Sequence, residues 1–133
     1  MSLHLIGRVA AAIAVSASVA GFIAADLKGD YKVEFAIEDQ MYTGTAKATP
    51  GAKGAFAGGF TFTSPSNVVA DVTGKTFGDS VTYDAKYTDK DRGCTGTFSG
   101  KGTVEKDGSG AAGTVEISDS CSGAISGKFR LWR

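Results

Sequence analysis

The residues with the clearest chemistry in this chain are two cysteines, each at the start of the same eight-residue motif. The motif Cys94-Thr95-Gly96-Thr97-Phe98-Ser99-Gly100-Lys101 returns 27 residues later as Cys121-Ser122-Gly123-Ala124-Ile125-Ser126-Gly127-Lys128, with five of eight positions identical. Within each copy, positions that hold a large apolar residue or glycine alternate with small or polar positions, which is the period of a β-strand. We predict a structural disulfide between Cys94 and Cys121, in preference to two reactive thiols.

The predicted disulfide sets a geometric condition on the strands around it. A turn and a middle strand, Gly113 to Ile117, separate the two copies, so the copies run in the same direction with one strand between them. Next-nearest strands lie roughly 10 Å apart, whereas the Cα atoms of a disulfide lie within about 7 Å of each other. The bond therefore requires both cysteines at the end of the sheet, where the middle strand has already turned away. In the chain-entropy model, closing this loop stabilises the fold by about 3.5 kcal/mol.

The remaining groups that could catalyse a reaction are carboxylates, because the only histidine, His4, lies in the N-terminal segment. Ser-His-Asp hydrolysis, Cys-His catalysis and histidine-ligated zinc all need an imidazole. The candidate acid/base pairs are Glu38 with Asp39, and Asp89 with Asp91. Adjacent strand residues point to opposite faces and loop charges are usually solvated, so we interpret both pairs as structural. Interleaved cations in the second loop also oppose a calcium site. The sequence thus predicts no catalytic residue, no metal site and no cofactor.

The N-terminal 25 residues have the layout of a secretory signal peptide. A single cation, Arg8, precedes seventeen uncharged residues, and Ala25 offers a small side chain at a cleavage position before Asp26. Cleavage after Ala20 is a second possibility, and an uncleaved membrane anchor is the alternative interpretation. We therefore predict a secreted or periplasmic protein, with residues 1–25 as the signal peptide and residues 26–133 as one folded domain.

The charge balance of the predicted domain excludes several classes of partner. Without the leader, 13 basic residues face 14 acidic ones, and no basic stripe or acidic tail is present. Nucleic-acid binding leaves a basic footprint that this domain lacks, and steering toward an anionic surface is equally disfavoured. We expect membrane contact only through an uncleaved leader.

From Asp26 onward, strand patterns recur with turn signals about every ten residues, and no segment keeps a helical period. Strict alternation in Tyr31 to Ile37 and in Val81 to Thr88 gives the clearest two strands. Eight such strands in simple succession predict an all-β fold, an eight-stranded antiparallel up-and-down β-barrel, because closure removes the two unpaired sheet edges. A two-sheet β-sandwich is the alternative. Charged residues opposite the aromatic faces argue against a transmembrane barrel.

The strand meander, the disulfide near the C-terminus and the final Gly127-Lys128-Phe129-Arg130-Leu131-Trp132-Arg133 together resemble a known group of proteins. The chain is similar to small exported bacterial β-barrels of lipocalin-like, or calycin-type, architecture, many of them uncharacterised. The resemblance covers Tyr31 to Arg133 and implies a barrel with a ligand-binding interior.

Aromatic residues on the inward-facing positions are the one feature that indicates binding. Such rings can line a barrel mouth, with tyrosine hydroxyls orienting a small apolar ligand. The alternative is that these rings only fill the core of a barrel that is rich in glycine. The candidate ligand-binding residues are Tyr31, Phe35, Phe60, Phe62, Tyr83, Tyr87 and Trp132.

These patterns favour a non-catalytic binding protein that takes a small hydrophobic molecule in the barrel or a protein partner through its loops. A second hypothesis is a protein-directed inhibitor or envelope interaction module that presents loops such as Thr88 to Gly93. A third is an enzyme with carboxylate or tyrosine acid/base groups. A cavity inside the barrel would favour the ligand hypothesis, and a filled interior would favour contacts through loops.

Overall fold

The computed structural model describes residues 26–133, which form a closed barrel of eight antiparallel strands. The predicted signal peptide, residues 1–25, lies outside the described residues. The strands are β1 (Gly29–Ile37), β2 (Gln40–Pro50), β3 (Ala55–Ser64), β4 (Val68–Phe77), β5 (Ser80–Asp89), β6 (Cys94–Val104), β7 (Gly110–Asp119) and β8 (Gly123–Trp132). One turn of 3-10 helix, Ala52–Gly54, lies between β2 and β3. The predicted up-and-down barrel is confirmed, and the sandwich alternative is wrong.

Closure of the barrel depends on the pairing of the first and last strands. Every strand pairs with its neighbour in sequence, and β1 also pairs with β8 in a register that sets Val33 opposite Leu131 and Phe35 opposite Phe129. The backbone groups of both terminal strands are thereby paired. A closed sheet has no exposed edge that another chain could extend, which is the physical advantage of this topology.

The interior of the barrel follows from the period-two alternation of each strand. Val33 and Val115 are fully buried. Together with the other inward-facing side chains, a group of aromatic rings fills the middle of the barrel. The ring centroids of Phe60 and Tyr83 lie 5.6 Å apart, and those of Tyr83 and Phe129 lie 5.1 Å apart. Both pairs meet edge to face, the favourable geometry for aromatic contacts.

Glycines on the inward face make room for these rings. A Cβ atom at Gly100 would overlap the Tyr83 ring, and one at Gly58 would overlap the backbone carbonyl of Lys47 on the neighbouring strand. The missing side chains let a large ring lie directly against β6 and let β2 and β3 approach closely. The aromatic and glycine positions of the interior therefore depend on each other.

The disulfide lies at the end of the barrel, as the spacing argument requires. Cys94 begins β6, and the pairing of β6 with β7 starts only at Gly96 opposite Asp119, so β7 has ended before it reaches the cysteine. Cys121 lies in the turn that follows Asp119. The two Cα atoms are 5.9 Å apart and the sulfurs are bonded. The predicted disulfide and its position are confirmed.

Within residues 26–133, no helix combines the length and the apolar character that crossing a membrane requires.

Candidate functional site

The two ends of the barrel differ in how far they are filled. The open end carries the β1–β2, β3–β4, β5–β6 and β7–β8 turns, and the closed end carries the other three turns together with Leu27 and Arg133. A cavity of about 240 Å³ opens at the first of these ends. The second end contains a void of only about 20 Å³. We therefore place the candidate site at the open end.

Aromatic side chains form the floor and much of the wall of the cavity. The ring centroid of Phe35 lies 4.9 Å from that of Phe62 and 5.1 Å from that of Phe98. Tyr87 stacks on Phe98 at 5.8 Å, and Tyr42 meets Phe62 edge to face. These five rings come from β1, β2, β3, β5 and β6, so they surround the cavity rather than cover one side. The aliphatic residues of the lining are Ile37, Val68, Ile117 and Ile125.

A network of charged and polar side chains forms the remaining wall. The Arg92 guanidinium donates from Nε to Asp89 Oδ2 at 2.7 Å and from a terminal nitrogen to Asp119 Oδ2 at 3.0 Å. The Tyr87 hydroxyl donates to the same Asp119 oxygen. Asp89 is only 1% exposed and Asp119 only 6%. One guanidinium thus bridges two buried carboxylates, a pairing that offsets the cost of removing them from water.

The two buried aspartates also build the turns in which they lie. Asp89 Oδ1 accepts a hydrogen bond from the backbone N–H of Arg92 at 3.1 Å. Asp119 Oδ1 accepts bonds from the backbone N–H groups of Cys121 and Ser122 at 2.8 and 3.0 Å. Such side-chain bonds to backbone N–H groups two or three residues on are what make aspartate a turn residue.

Each of these turns ends on a glycine four residues after the aspartate. Gly93 and Gly123 have φ of 67° and 79°, in the left-handed region that glycine adopts without strain. The disulfide connects the same two turns. A repeated Asp-x-x-x-Gly pattern and one covalent bond therefore hold both carboxylates in place at the rim.

The network keeps its members in fixed ionisation states. Burial alone would raise the pKa of Asp119, but the Tyr87 hydroxyl, the two backbone N–H groups and the Arg92 charge hold that pKa below its usual value. Burial raises the pKa of the Tyr87 phenol, and its bond to Asp119 adds to the effect. Hydrogen bonds to Asp89 and Asp119 raise the pKa of Arg92 further. Near neutral pH the carboxylate is ionised, the phenol is protonated and the guanidinium is charged.

The β1–β2 turn adds two carboxylates to the rim of the cavity. Glu38 and Asp39 are exposed and belong to the cavity lining together with Gln40. Glu38 has φ of 55°, a conformation that favours glycine and costs a residue with a side chain on the order of 1 kcal/mol. Unlike Asp89, these two side chains remain in contact with water, as solvated loop charges do.

The structure separates the seven candidate residues into three places. Phe35, Phe62 and Tyr87 line the cavity of the open end. Phe60 and Tyr83 lie in the core below it, where the buried Tyr83 hydroxyl has no hydrogen-bond partner among the described residues and burial raises its pKa. The other two, Tyr31 and Trp132, lie toward the closed end.

Tyr31 seals the closed end. Its hydroxyl donates to the Gly108 carbonyl at 2.7 Å and accepts bonds from the Lys28 N–H at 3.0 Å and from Arg133 at 3.1 Å. Leu27 is 3% exposed and packs into the same end. Trp132 is only partly buried, and the Arg130 guanidinium lies 4.1 Å from its ring centroid. Neither Tyr31 nor Trp132 contributes to the open cavity.

Sequence reasoning missed the polar half of the site. From the sequence we interpret Asp89 as structural because loop charges are usually solvated, yet its side chain is buried and bonded to Arg92. Asp119 is not among the candidate residues, and Arg92 is considered only as one of the loop cations that oppose a calcium site. One signal was present in the sequence: Asp89-x-x-x-Gly93 and Asp119-x-x-x-Gly123 repeat the same turn pattern beside the two cysteines.

Comparison with known proteins supports the fold and no finer statement. No protein-family model matches the chain, and no curated protein does. Among solved structures, EF1p2_mFAP2b bound to DFHBI is 14% identical with a TM-score of 0.59, and the match covers 80% of this chain and 93% of that one. A redesigned beta barrel, mFAP1, bound to DFHBI, is 19% identical with a TM-score of 0.54, and the match covers 80% and 94%. At these identities the likeness shows a small β-barrel fold. Membership of the exported lipocalin-like proteins stays a prediction.

Proposed function

We propose that this protein is a secreted or periplasmic, non-catalytic binding protein that takes a small, largely hydrophobic molecule in the cavity of the open end. The observation that carries the proposal is the unfilled volume of about 240 Å³ above a floor of packed aromatic rings. An aromatic-lined cavity with a few converging polar groups is the usual form of a small-molecule site.

The size of the cavity limits the ligand. An apolar cavity of about 150 Å³ holds benzene, and sites for drug-sized molecules start at about 300 Å³. A cavity of about 240 Å³ lies between these sizes. We therefore expect a ligand with one or two rings, or an aliphatic molecule of similar volume, with one end in contact with water at the rim.

The ionisation states of the site support a role without catalysis. A general acid or base works best when its pKa lies near the working pH. The pKa of Asp119 is lowered and the pKa of Tyr87 is raised, so both move away from neutrality. The pair is suited to hold a fixed charge pattern and poorly suited to exchange protons with a substrate.

Two further observations support the other parts of the proposal. Both solved barrels named above are bound to DFHBI, so barrels of this fold accept a bound ligand. A single disulfide that uses both cysteines of a small domain is typical of oxidising compartments, and the leader pattern of residues 1–25 points to export. The cavity favours ligand binding over the alternative of an inhibitor or envelope module that acts only through its loops.

The test is direct detection of a ligand. We expect native mass spectrometry of the protein purified from its source to show an additional bound mass. Titration of the ligand-free protein with toluene, indole and naphthalene should shift backbone amide NMR signals of residues at the open end. Signals near Leu27 and Tyr31 should not move. No shift with any of these compounds, together with no bound mass, would contradict the proposal.

A further inference from the structure

The charges around the cavity have one dominant sign. The lining contains four carboxylates, Glu38, Asp39, Asp89 and Asp119, against one guanidinium, that of Arg92, a formal net charge of −3. The whole chain has a formal net charge of +0. The negative charge is therefore concentrated at the open end and is not a general property of the protein. A cleft with charges of one sign and low-dielectric walls focuses its field on what enters.

The charge of the one cation in the lining, Arg92, is already balanced by two buried carboxylates. Arg92 uses its Nε for Asp89 and a terminal nitrogen for Asp119, at 2.7 and 3.0 Å. The remaining N–H groups of Arg92 could still donate to an anion, but the four carboxylates of the lining would repel it. The site therefore disfavours anions, even though it contains an arginine.

The carboxylates have acceptor capacity beyond their present bonds. An ionised carboxylate offers about four acceptor positions. Among the described residues, Asp89 accepts two hydrogen bonds, both from Arg92. Asp119 accepts four, so its capacity is used. Asp89 thus has unused acceptor positions, although its side chain is only 1% exposed, and the exposed carboxylates of Glu38 and Asp39 lie at the rim in contact with water.

The apolar walls also suit a cation. Phe35, Tyr42, Phe62, Tyr87 and Phe98 present aromatic rings from five strands around the cavity. The negative face of an aromatic ring attracts an organic cation by about 0.5 to 2 kcal/mol, more when water is excluded. A bare metal ion would find few oxygen ligands among these rings, whereas an ammonium group carried on a ring or a short alkyl chain can use both features.

We propose that the open end binds a small organic cation, an amine or quaternary ammonium attached to a compact hydrophobic group. This proposal rests on the proposed function and adds the charge of the ligand to it. The hydrophobic part packs on the aromatic floor, and the positive group lies toward Asp89, Glu38 and Asp39. The positive charge of the ligand offsets part of the net negative charge of the lining.

The test uses three compounds of similar size that differ in charge. Phenyltrimethylammonium is the cation, tert-butylbenzene is its neutral isostere, and benzenesulfonate is the anion. We expect the full-length protein to bind the cation at least tenfold more tightly than the isostere, as measured by NMR titration, and to bind the anion more weakly than both. Raising the salt concentration should weaken binding of the cation and leave that of the isostere unchanged.

Two matched variants locate the effect. Glu38→Gln with Asp39→Asn removes two exposed carboxylates at the open end and should weaken binding of the cation by about threefold to tenfold, with no change for tert-butylbenzene. Asp79→Asn with Glu105→Gln removes two exposed carboxylates at the closed end and should leave both affinities unchanged. Neither pair lies in the core, so both variants should fold.

The outcomes separate this inference from the proposed function. Equal affinity for the cation and the isostere, or stronger binding of the sulfonate, would overturn the cation proposal while the ligand-binding cavity stands. No binding of any of the three compounds would count against both. An equal loss of cation affinity in the two double variants would also overturn the proposal, because the preference would then reflect net charge and not the cavity.

Discussion

The open and closed ends of this barrel bond a tyrosine hydroxyl and an arginine to different kinds of partner. Each end places a tyrosine hydroxyl next to an arginine. At the closed end Tyr31 bonds to the backbone carbonyl of Gly108, and Arg133 bonds to the carbonyl of Lys28. At the open end Tyr87 and Arg92 bond to the carboxylate of Asp119. Neutral backbone groups accept these bonds at the closed end, where only a small void remains, whereas the open end keeps charged groups beside a cavity.

The difference follows from the free-energy cost of burying polar groups, which is larger for a carboxylate than for a backbone carbonyl. Backbone carbonyls lose little when a hydrophobic residue such as Leu27 covers them, provided that they keep a hydrogen bond. Buried carboxylates need charged or several hydrogen-bonding partners, and each partner must be held rigidly. At the open end the disulfide and the two aspartate turns supply that rigidity. The polar wall is therefore held by one covalent bond and several hydrogen bonds, although it lies beside the empty volume.

The largest expected difference between the ends comes from the disulfide. Replacing both cysteines by serine should lower the free energy of unfolding by about 3.5 kcal/mol, because the unfolded chain regains the entropy of a 27-residue loop. Chemical denaturation measures the change. Hydrogen exchange should rise first in the turns at Asp89 and Asp119 and stay low around Tyr31. An unchanged denaturation midpoint, or faster exchange at the closed end, would contradict this account of rigidity.

The second difference is in the response to pH. Asp119→Asn should cost about 2 kcal/mol at neutral pH, since Arg92 and Tyr87 lose a charged acceptor. The folded pKa of Asp119 is lowered, so its contribution is fully present above the unfolded pKa of about 3.8 and is lost as pH falls through the folded pKa. The difference in unfolding free energy between the unchanged protein and Asp119→Asn should therefore shrink below about pH 4.

Tyr31→Phe is the matched control at the closed end. It removes a hydroxyl that bonds to the backbone of Gly108 and Lys28 and to Arg133, with no carboxylate involved, and should cost about 1 kcal/mol at every pH between about 3 and 8. Denaturation at several pH values compares the two variants. A pH-independent cost for Asp119→Asn would contradict the distinction between an end that contains buried carboxylates and an end that does not.

The smallest expected effect concerns the room that each end leaves for a larger side chain. Ala111→Leu enlarges a side chain beside the void of about 20 Å³ at the closed end and should destabilise the barrel by about 1.5 kcal/mol through overpacking. Ile125→Trp enlarges one beside the cavity of about 240 Å³ and should change stability by less than about 0.5 kcal/mol. The same Ile125→Trp change should weaken binding of indole by at least tenfold. Retained binding in this variant would mean that ligands occupy another place.

Much of the barrel was predictable because its information is local. Period-two alternation in Tyr31 to Ile37 and Val81 to Thr88 defines inward faces that the structure confirms, and the turns fall where glycine, proline and aspartate mark them. The disulfide followed from the duplicated motif and from the width of one intervening strand. These features depend on sequence neighbours or on fixed strand spacings, so a single sequence contains them.

The candidate site was only partly predictable. Aromatic alternation pointed to Phe35, Phe62 and Tyr87, and the structure places all three around the cavity. The same alternation also pointed to Tyr31, which seals the opposite end, because a period identifies the inward face and not the height along the barrel. Asp89 and Asp119 lie 30 residues apart in the sequence and share Arg92 only after β5, β6 and β7 have paired.

The sequence by itself determined that inward-facing and outward-facing residues alternate along eight successive strands. It also determined that two cysteines are bonded at one end of the barrel. Only the tertiary structure decided which end is filled and which is open. That choice depends on Leu27 and the Tyr31–Arg133 pair, which cover one end, while the turns of the other end place carboxylates beside the cavity. The physical reason is that strand patterns arise from neighbouring residues, whereas cavities and buried charge networks arise from side chains that meet only when the barrel closes.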